Sequence, residues 1–150
     1  MLYNDEFEKY GIPKVVYTGR SNKKTKRGDI FFLKQIYCNY NSKWCLKVIG
    51  RSYDYSLNSF KYEDGSDIKR VDFSFFRDQF NSMSKGDIFY NIKKGELYIC
   101  VSIKLSKYFI TKPLKGGREI LINTNEDYLI TESLYKSVTR SESLDRILGQ

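Results

Sequence analysis

The chain has 150 residues, 41% of them hydrophobic and 29% charged, with a formal net charge of +8. That much apolar material can bury a core and argues against a wholly disordered chain. It holds no histidine, which excludes Ser-His-Asp and Cys-His catalysis, HExxH metal sites and zinc deaminase centres.

No apolar run approaches the roughly 20 residues needed to cross a bilayer. The opening MLYNDEFEKYGIPKVV carries acids where a signal peptide needs bases and an apolar stretch. A cytoplasmic protein with no membrane partner is expected. The three cysteines, Cys38, Cys45 and Cys100, form no CxxC and no even set, so neither a disulfide framework nor a zinc site is expected. Charge is unevenly placed. Residues 1–13 hold three acids and one base, and residues 126–150 hold five acids and three bases. The body between them carries 22 bases against 10 acids, a field that attracts polyanions.

In chain order, Tyr10-Gly11-Ile12-Pro13 reads as a turn, Lys14-Val15-Val16-Tyr17 as a short strand, and Arg20 to Arg27 as an exposed basic loop. Arg27-Gly28-Asp29-Ile30-Phe31-Phe32 then recurs as Lys85-Gly86-Asp87-Ile88-Phe89-Tyr90, 58 residues later. Gly permits a turn conformation, Asp can bond nearby backbone N–H groups, and Ile-aromatic enters a strand. The segments after the two copies correspond loosely. Trp44 to Ile49 matches Leu97 to Ile103, both strand-like. The loop with Asn39, Asn41 and Ser42 matches a tighter hairpin at Lys93-Lys94-Gly95. Residues 60–68 and 109–120 each read as strand, glycine turn, strand. Short aromatic or helical pieces, Phe73 to Phe80 and Tyr128-Leu129, close the copies.

A mainly β (α+β) protein is therefore expected, in two related halves: 1–84, including an N-terminal extension, and 85–150. Halves this small bury little surface alone, so the expectation is that they share a core, with 81–85 as a short junction. From Thr131 the tail reads as helix, capped by Thr131 and stopped near Gly149. Leu134, Tyr135, Val138, Leu144, Ile147 and Leu148 form a stripe expected to pack on the sheet or on a second copy. The polar run Thr139 to Ser143 is a candidate break into two helices.

Carboxylates could still serve metal-dependent hydrolysis, but Asp29 and Asp87 are explained by turn chemistry and Glu63, Asp64 and Asp67 by a hairpin around Gly65. No Walker A spacing occurs at Lys115-Gly116-Gly117. A non-enzymatic binder without metal or cofactor is the expectation.

The cations fall into four groups: Lys23, Lys24, Lys26 and Arg27; Lys93 and Lys94 with Lys104 and Lys107; Lys112, Lys115 and Arg118; and Lys69 and Arg70 with Arg77. Hairpin cations suit phosphate contacts across a groove, and exposed Tyr37, Tyr40, Tyr53 and Tyr55 suit stacking or an interface. Trp44 reads as core.

The basic-Gly-Asp-Ile-aromatic entry before several short strands resembles the opening of SH3-like small barrels, including the Tudor and KOW groups, over roughly 27–80 and 85–130. The resemblance implies two tandem SH3-like barrel-type half-domains packed together. The Lys/Tyr/Asn-rich make-up also looks like that of bacteriophage accessory proteins, which implies host DNA, a polymerase or a defence enzyme as partner. The leading expectation is nonspecific binding of duplex DNA. The alternative is a protein-binding module or inhibitor that docks on an acidic host protein. The chain acts as monomer or homodimer under either.

Overall fold

A computed structural model describes residues 4–80, 83–105, 108–123 and 128–149. The fold is mainly β, with two antiparallel sheets and a C-terminal helix. The chain divides into two units, Met1–Phe75 and Phe76–Gln150. No helix among the described residues is long and apolar enough to cross a membrane.

The first unit opens with helix α1 (Asn4–Lys9) and continues through β1 (Lys14–Tyr17), β2 (Ile30–Cys38), β3 (Trp44–Val48) and β4 (Tyr55–Ser56). A 3-10 turn (Leu57–Ser59) leads to β5 (Phe60–Tyr62), and β6 (Phe73–Ser74) pairs beside β2. The strand order is β4-β3-β2-β1-β5. Period-two alternation aims Val15 and Tyr17 of β1, and Leu46 and Val48 of β3, into one core with Leu57 and Phe60. In β2 both Leu33 and Ile36 are buried, although their odd spacing would place them on opposite faces of a regular strand. The β2–β3 register shifts between Leu33 and Gln35. That bulge turns both side chains inward.

Helix α2 (Phe75–Asp78) carries the chain from the first unit into the second. There follow β7 (Ile88–Asn91), β8 (Glu96–Leu105), β9 (Tyr108–Pro113), β10 (Ile120–Asn123), β11 (Leu129–Thr131) and α3 (Glu132–Leu148). The strand order is β10-β9-β8-β7-β11. Phe80, Phe89, Tyr98, Phe109, Ile122 and Leu129 form the second core together with Cys100, a buried thiol acting as a small apolar group. Burial pushes that thiol above its ordinary pKa. Like β2, β8 is long and bulged, with register shifts after Cys100 and after Ile103.

The two sheets share one strand order: a meander of four strands, with the fifth returning to pair with the first. The sequence recurrence does not fall on this correspondence. Arg27-Gly28-Asp29 precedes β2, the second strand of its unit, while Lys85-Gly86-Asp87 precedes β7, the first of its own. The turn itself recurs bond for bond. Asp29 N–H donates to the Lys26 carbonyl at 3.0 Å and Asp87 N–H to that of Ser84 at 3.0 Å. Each Asp carboxylate accepts from the same residue's N–H, at 2.9 Å from Lys26 and 2.8 Å from Ser84. Gly28 and Gly86 donate across to Tyr17 and Cys100, each at 2.8 Å. The same first-to-second strand seam is thus closed in both units, from opposite strands. The expected match of Trp44 to Ile49 with Leu97 to Ile103 is off by one strand: β3 corresponds to β9, and β2 to β8.

The barrel closure expected of each half is not present; both sheets end in edges. In the first unit the edge strands are two and three residues long and do not pair with each other. They are instead joined through the chain by the single 3-10 turn Leu57–Ser59.

The tail is one helix, not two. Thr139 Oγ1 donates to the Tyr135 carbonyl at 2.8 Å, so the hydroxyl is satisfied without interrupting the helix. Thr131 caps the start, accepting from Leu134 N–H at 3.3 Å. The expected packing of the whole apolar stripe on the sheet is not seen. Tyr135 packs on Tyr90 with centroids 4.4 Å apart, but Leu144, Ile147 and Leu148 are 56%, 66% and 74% exposed. Helix α3 makes its main contacts with β7 and β11, the strands beside its start.

Candidate functional site

The meander places the connection between a unit's first and second strands, and that between its third and fourth, at one end of its sheet. In the first unit these connections are residues 18–29 and 49–54. Lys23, Lys24, Lys26 and Arg27 occupy the first, all exposed, and the equally exposed Arg51 occupies the second. Among the described residues none of these five is ion-paired to a carboxylate; the Asp29 carboxylate in their midst is taken by the turn backbone. Backbone bonds shape the loop. Asn22 Oδ1 accepts from Lys24 and Thr25 N–H, both at 2.9 Å, and Asn22 N–H donates to the Thr25 carbonyl at 2.8 Å. The Arg51 guanidinium donates to the Lys24 carbonyl at 3.2 Å, tying the two connections together.

The anchor is Thr25, 1% exposed in an otherwise exposed segment. Its Oγ1 lies 2.8 Å from the Tyr55 hydroxyl and 3.3 Å from that of Tyr53, and the two phenols bond each other at 2.9 Å. Tyr55 packs its ring against Phe60 at 5.0 Å and Tyr17 at 6.0 Å, so it supports the loop from the core. Tyr53 lies further out, with Lys24 Nζ 5.7 Å from its ring centroid. The Thr25 hydrogen bond and then the Tyr55 bond lower the Tyr53 pKa, aided by Arg51 and Lys24. Burial raises that of Tyr55. The expected loop cations and two of the expected tyrosines therefore meet in one place.

In the second unit the equivalent connections are residues 92–95 and 114–119. They carry Lys93, Lys94, Lys115 and Arg118, with Lys112 on the strand below, all exposed. The β7–β8 turn forms as expected, Gly95 N–H donating to Asn91 at 2.8 Å and Lys94 N–H to Asn91 Oδ1 at 3.1 Å. Two strand spacings, about 10 Å, separate the centres of these two hairpins. Lys104 does not join Lys93 and Lys94; it lies near the far end of β8, roughly 25 Å away along the strand. Lys107 lies outside the described residues. The loop at Lys23 to Arg27 thus corresponds to Lys93 and Lys94, not to Lys85 as the sequence recurrence suggests.

Lys69 and Arg70 are exposed in the first unit. Arg77 belongs to the second unit and pairs with Asp78 at 3.8 Å. Tyr37 points elsewhere: its hydroxyl donates to Asp54, and Lys47 lies 5.6 Å from its ring and 3.8 Å from Asp54. Burial, then the Asp54 bond, raises its pKa. Tyr40 is 96% exposed at the tip of the β2–β3 hairpin. Arg51, with its guanidinium 5.5 Å from the Phe31 ring, does not stand out in the sequence. Its only signal there is a basic residue in a strand-to-strand connection.

A groove of about 590 Å³ is lined by Asp5, Glu8, Lys14, Phe32 and Arg51 among others. Its carboxylates, one paired to Lys14 at 3.0 Å, make it a poor seat for an anion. Among the described residues no three of His, Cys, Asp and Glu come together to hold a metal. Compared with known proteins, the chain matches no family model, no curated protein and no solved structure.

Proposed function

We propose that the protein binds nucleic acid without sequence selectivity, through the basic ends of its two sheets, with duplex DNA as the favoured ligand. One observation carries this reading: in two units of equal strand order, cations collect on the same two connections, beside each other at one sheet end. Hairpin centres about 10 Å apart are comparable to the groove widths of about 6 and 12 Å that separate phosphate rows in B-DNA. In the first unit the backbone holding these side chains is fixed by Thr25 and Asn22, so less conformational freedom is lost on contact. Each unit is, in this proposal, an opened SH3-like small barrel. The shared five-strand order and the 3-10 turn joining β4 to β5 support it.

The test is binding to a random-sequence duplex between about 50 and 300 mM salt. Affinity is expected to fall steeply as salt rises. Replacing Lys23, Lys24, Lys26 and Arg27 by Gln is expected to flatten the log–log slope by about 3.6, or roughly 0.9 for each of four lost phosphate contacts. No binding at the lowest salt refutes the proposal and moves the assignment to an acidic protein partner.

A further inference from the structure

The opposite end of the first unit's sheet carries a different constellation. A groove of about 310 Å³ is lined by Ser42, Lys43, Trp44, Ser56, Asn58 and Arg70. A second groove of about 250 Å³ shares Asn58 and Arg70 with it. Residue type alone puts Trp44 in the core. The structure leaves it at the core's rim, partly buried and forming a wall of this groove.

The surroundings are built. Asn39 Oδ1 accepts from Asn41 N–H at 2.9 Å and Lys43 N–H at 3.0 Å, and Asn39 N–H donates to the Lys43 carbonyl at 2.8 Å. With Ser42 at φ 62, these bonds fix the hairpin from which Lys43 and Trp44 leave. On the other side Val71 N–H donates to the Lys69 carbonyl at 3.0 Å. That three-residue turn has Arg70 at its apex, shortly after the core residue Ile68. Among the described residues neither Lys43 nor Arg70 is ion-paired. The carboxylate that lines the adjoining groove, Asp67, is engaged by Lys61 at 3.7 Å.

We infer that this groove seats an unpaired nucleotide, its base against Trp44 and its phosphate between Arg70 and Lys43. An indole face supplies sequence-tolerant stacking, and a guanidinium supplies bidentate phosphate contacts. Ser42, Ser56 and Asn58 offer hydroxyl and amide groups for a base edge or sugar. The size lies at the lower end of small-ligand sites, about 300 to 1,000 Å³. A recessed indole is reached by an unstacked base and not by one inside a duplex. The exposed ring of Tyr40, on the same hairpin, offers a neighbouring stacking surface to a strand that continues outward. This site does not rest on the duplex reading, which uses the other end of the sheet.

Trp44 is the sole tryptophan, so its emission reports the site directly. The experiment titrates the whole protein with an oligothymidylate, with thymidine monophosphate and with a random duplex at low salt. The single strand is expected to quench Trp44 emission and the duplex to leave it unchanged. Arg70→Ala is expected to weaken the quenching titration about ten-fold, and Lys43→Ala to weaken it less, with the free-protein spectrum unaltered. Trp44→Phe, followed with a labelled oligonucleotide, tests the stacking without emptying the core rim. Affinity that rises with oligonucleotide length assigns the site to strands, and equal affinity for the monophosphate assigns it to free nucleotides; both uphold the seat. Absence of quenching overturns it. So does quenching abolished by the four Gln substitutions at Lys23 to Arg27 but unchanged by Arg70→Ala, which would place the strand on the basic loop.

Discussion

Replacing Gly28 by alanine isolates the backbone conformation that the recurrent turn demands. Gly28 sits at φ 96, the third position of a four-residue turn closed by the Asp29 N–H to Lys26 carbonyl bond of 3.0 Å. This is a type II arrangement, which requires positive φ at that place. A Cβ built on Gly28 meets nothing within 4 Å, so no clash contributes and the whole penalty is conformational. An L-residue held there costs about 1–2 kcal/mol. Restricting the unfolded chain destabilises that state too and offsets this by about 0.4–1 kcal/mol. The expected net loss is about 1 kcal/mol, or roughly 2–4 °C in Tm for a chain of this size. Urea unfolding followed by Trp44 emission reads it in the same unit, with an unchanged m-value. Gly86→Ala is the internal replicate, at φ 94 and equally open, and should lose a similar amount. Asparagine, which tolerates positive φ, should lose less than alanine at either site. Two alanine variants as stable as the parent, or two that differ widely, would refute the claim that one strained turn was used twice.

Thr25→Val removes the buried hydroxyl that meets both phenols and should destabilise the first unit by about 1–3 kcal/mol. Because the Thr25 bond is the foremost cause of the lowered Tyr53 pKa, ultraviolet titration should find that phenol ionising at higher pH in the variant; no upward movement would deny the bond its role. Tyr37 predicts an alkaline limb. Its phenol is raised above the ordinary value of 10.0 in the fold, so the unfolded chain releases its proton first. The stability it contributes is complete below pH 10.0 and drains away as pH rises toward the folded value. Tyr37→Phe should therefore flatten the decline of stability above that pH, and an unaltered alkaline profile would count against this account.

Much of the architecture is legible in local chemistry. The strand at Lys14 to Tyr17, the hairpin at Lys93-Lys94-Gly95 and the Thr131 cap all form where turn and capping residues place them. The correspondence between units is misleading in the sequence because the Gly-Asp turn reports a local hydrogen-bond pattern, and that pattern fits either strand of an antiparallel seam. Strand order depends on long-range pairing, such as Leu129 with Asn91, which leaves no signature in short windows. The bulge in β2 hides its inward set, since Leu33 and Ile36 break alternation. Helix α1 escapes notice because its six residues carry too little periodicity to rise above the surrounding polar sequence. At the basic ends the cations are plain in the sequence. Their pairing with Arg51 and Tyr53 requires two connections, far apart in the chain, to share one sheet end. Trp44 goes to the core on residue type alone, a rule that fails at the core's rim.

The exposed latter half of α3 has a dynamic consequence. None of this 17-residue helix is buried, and its main contacts are with β7 and β11. Beyond Thr139 its persistence rests on intrinsic propensity and the cooperativity of the turns before it, and helices shorter than about 12–15 residues are marginal alone in water. The amides of the last turns should accordingly open by fraying from Gly149 inward, without any strand of the sheet parting. Hydrogen exchange along α3 then becomes a graded scale. Protection would approach that of the sheet beside Leu134 and Tyr135, and fall toward the solvent value by Ile147.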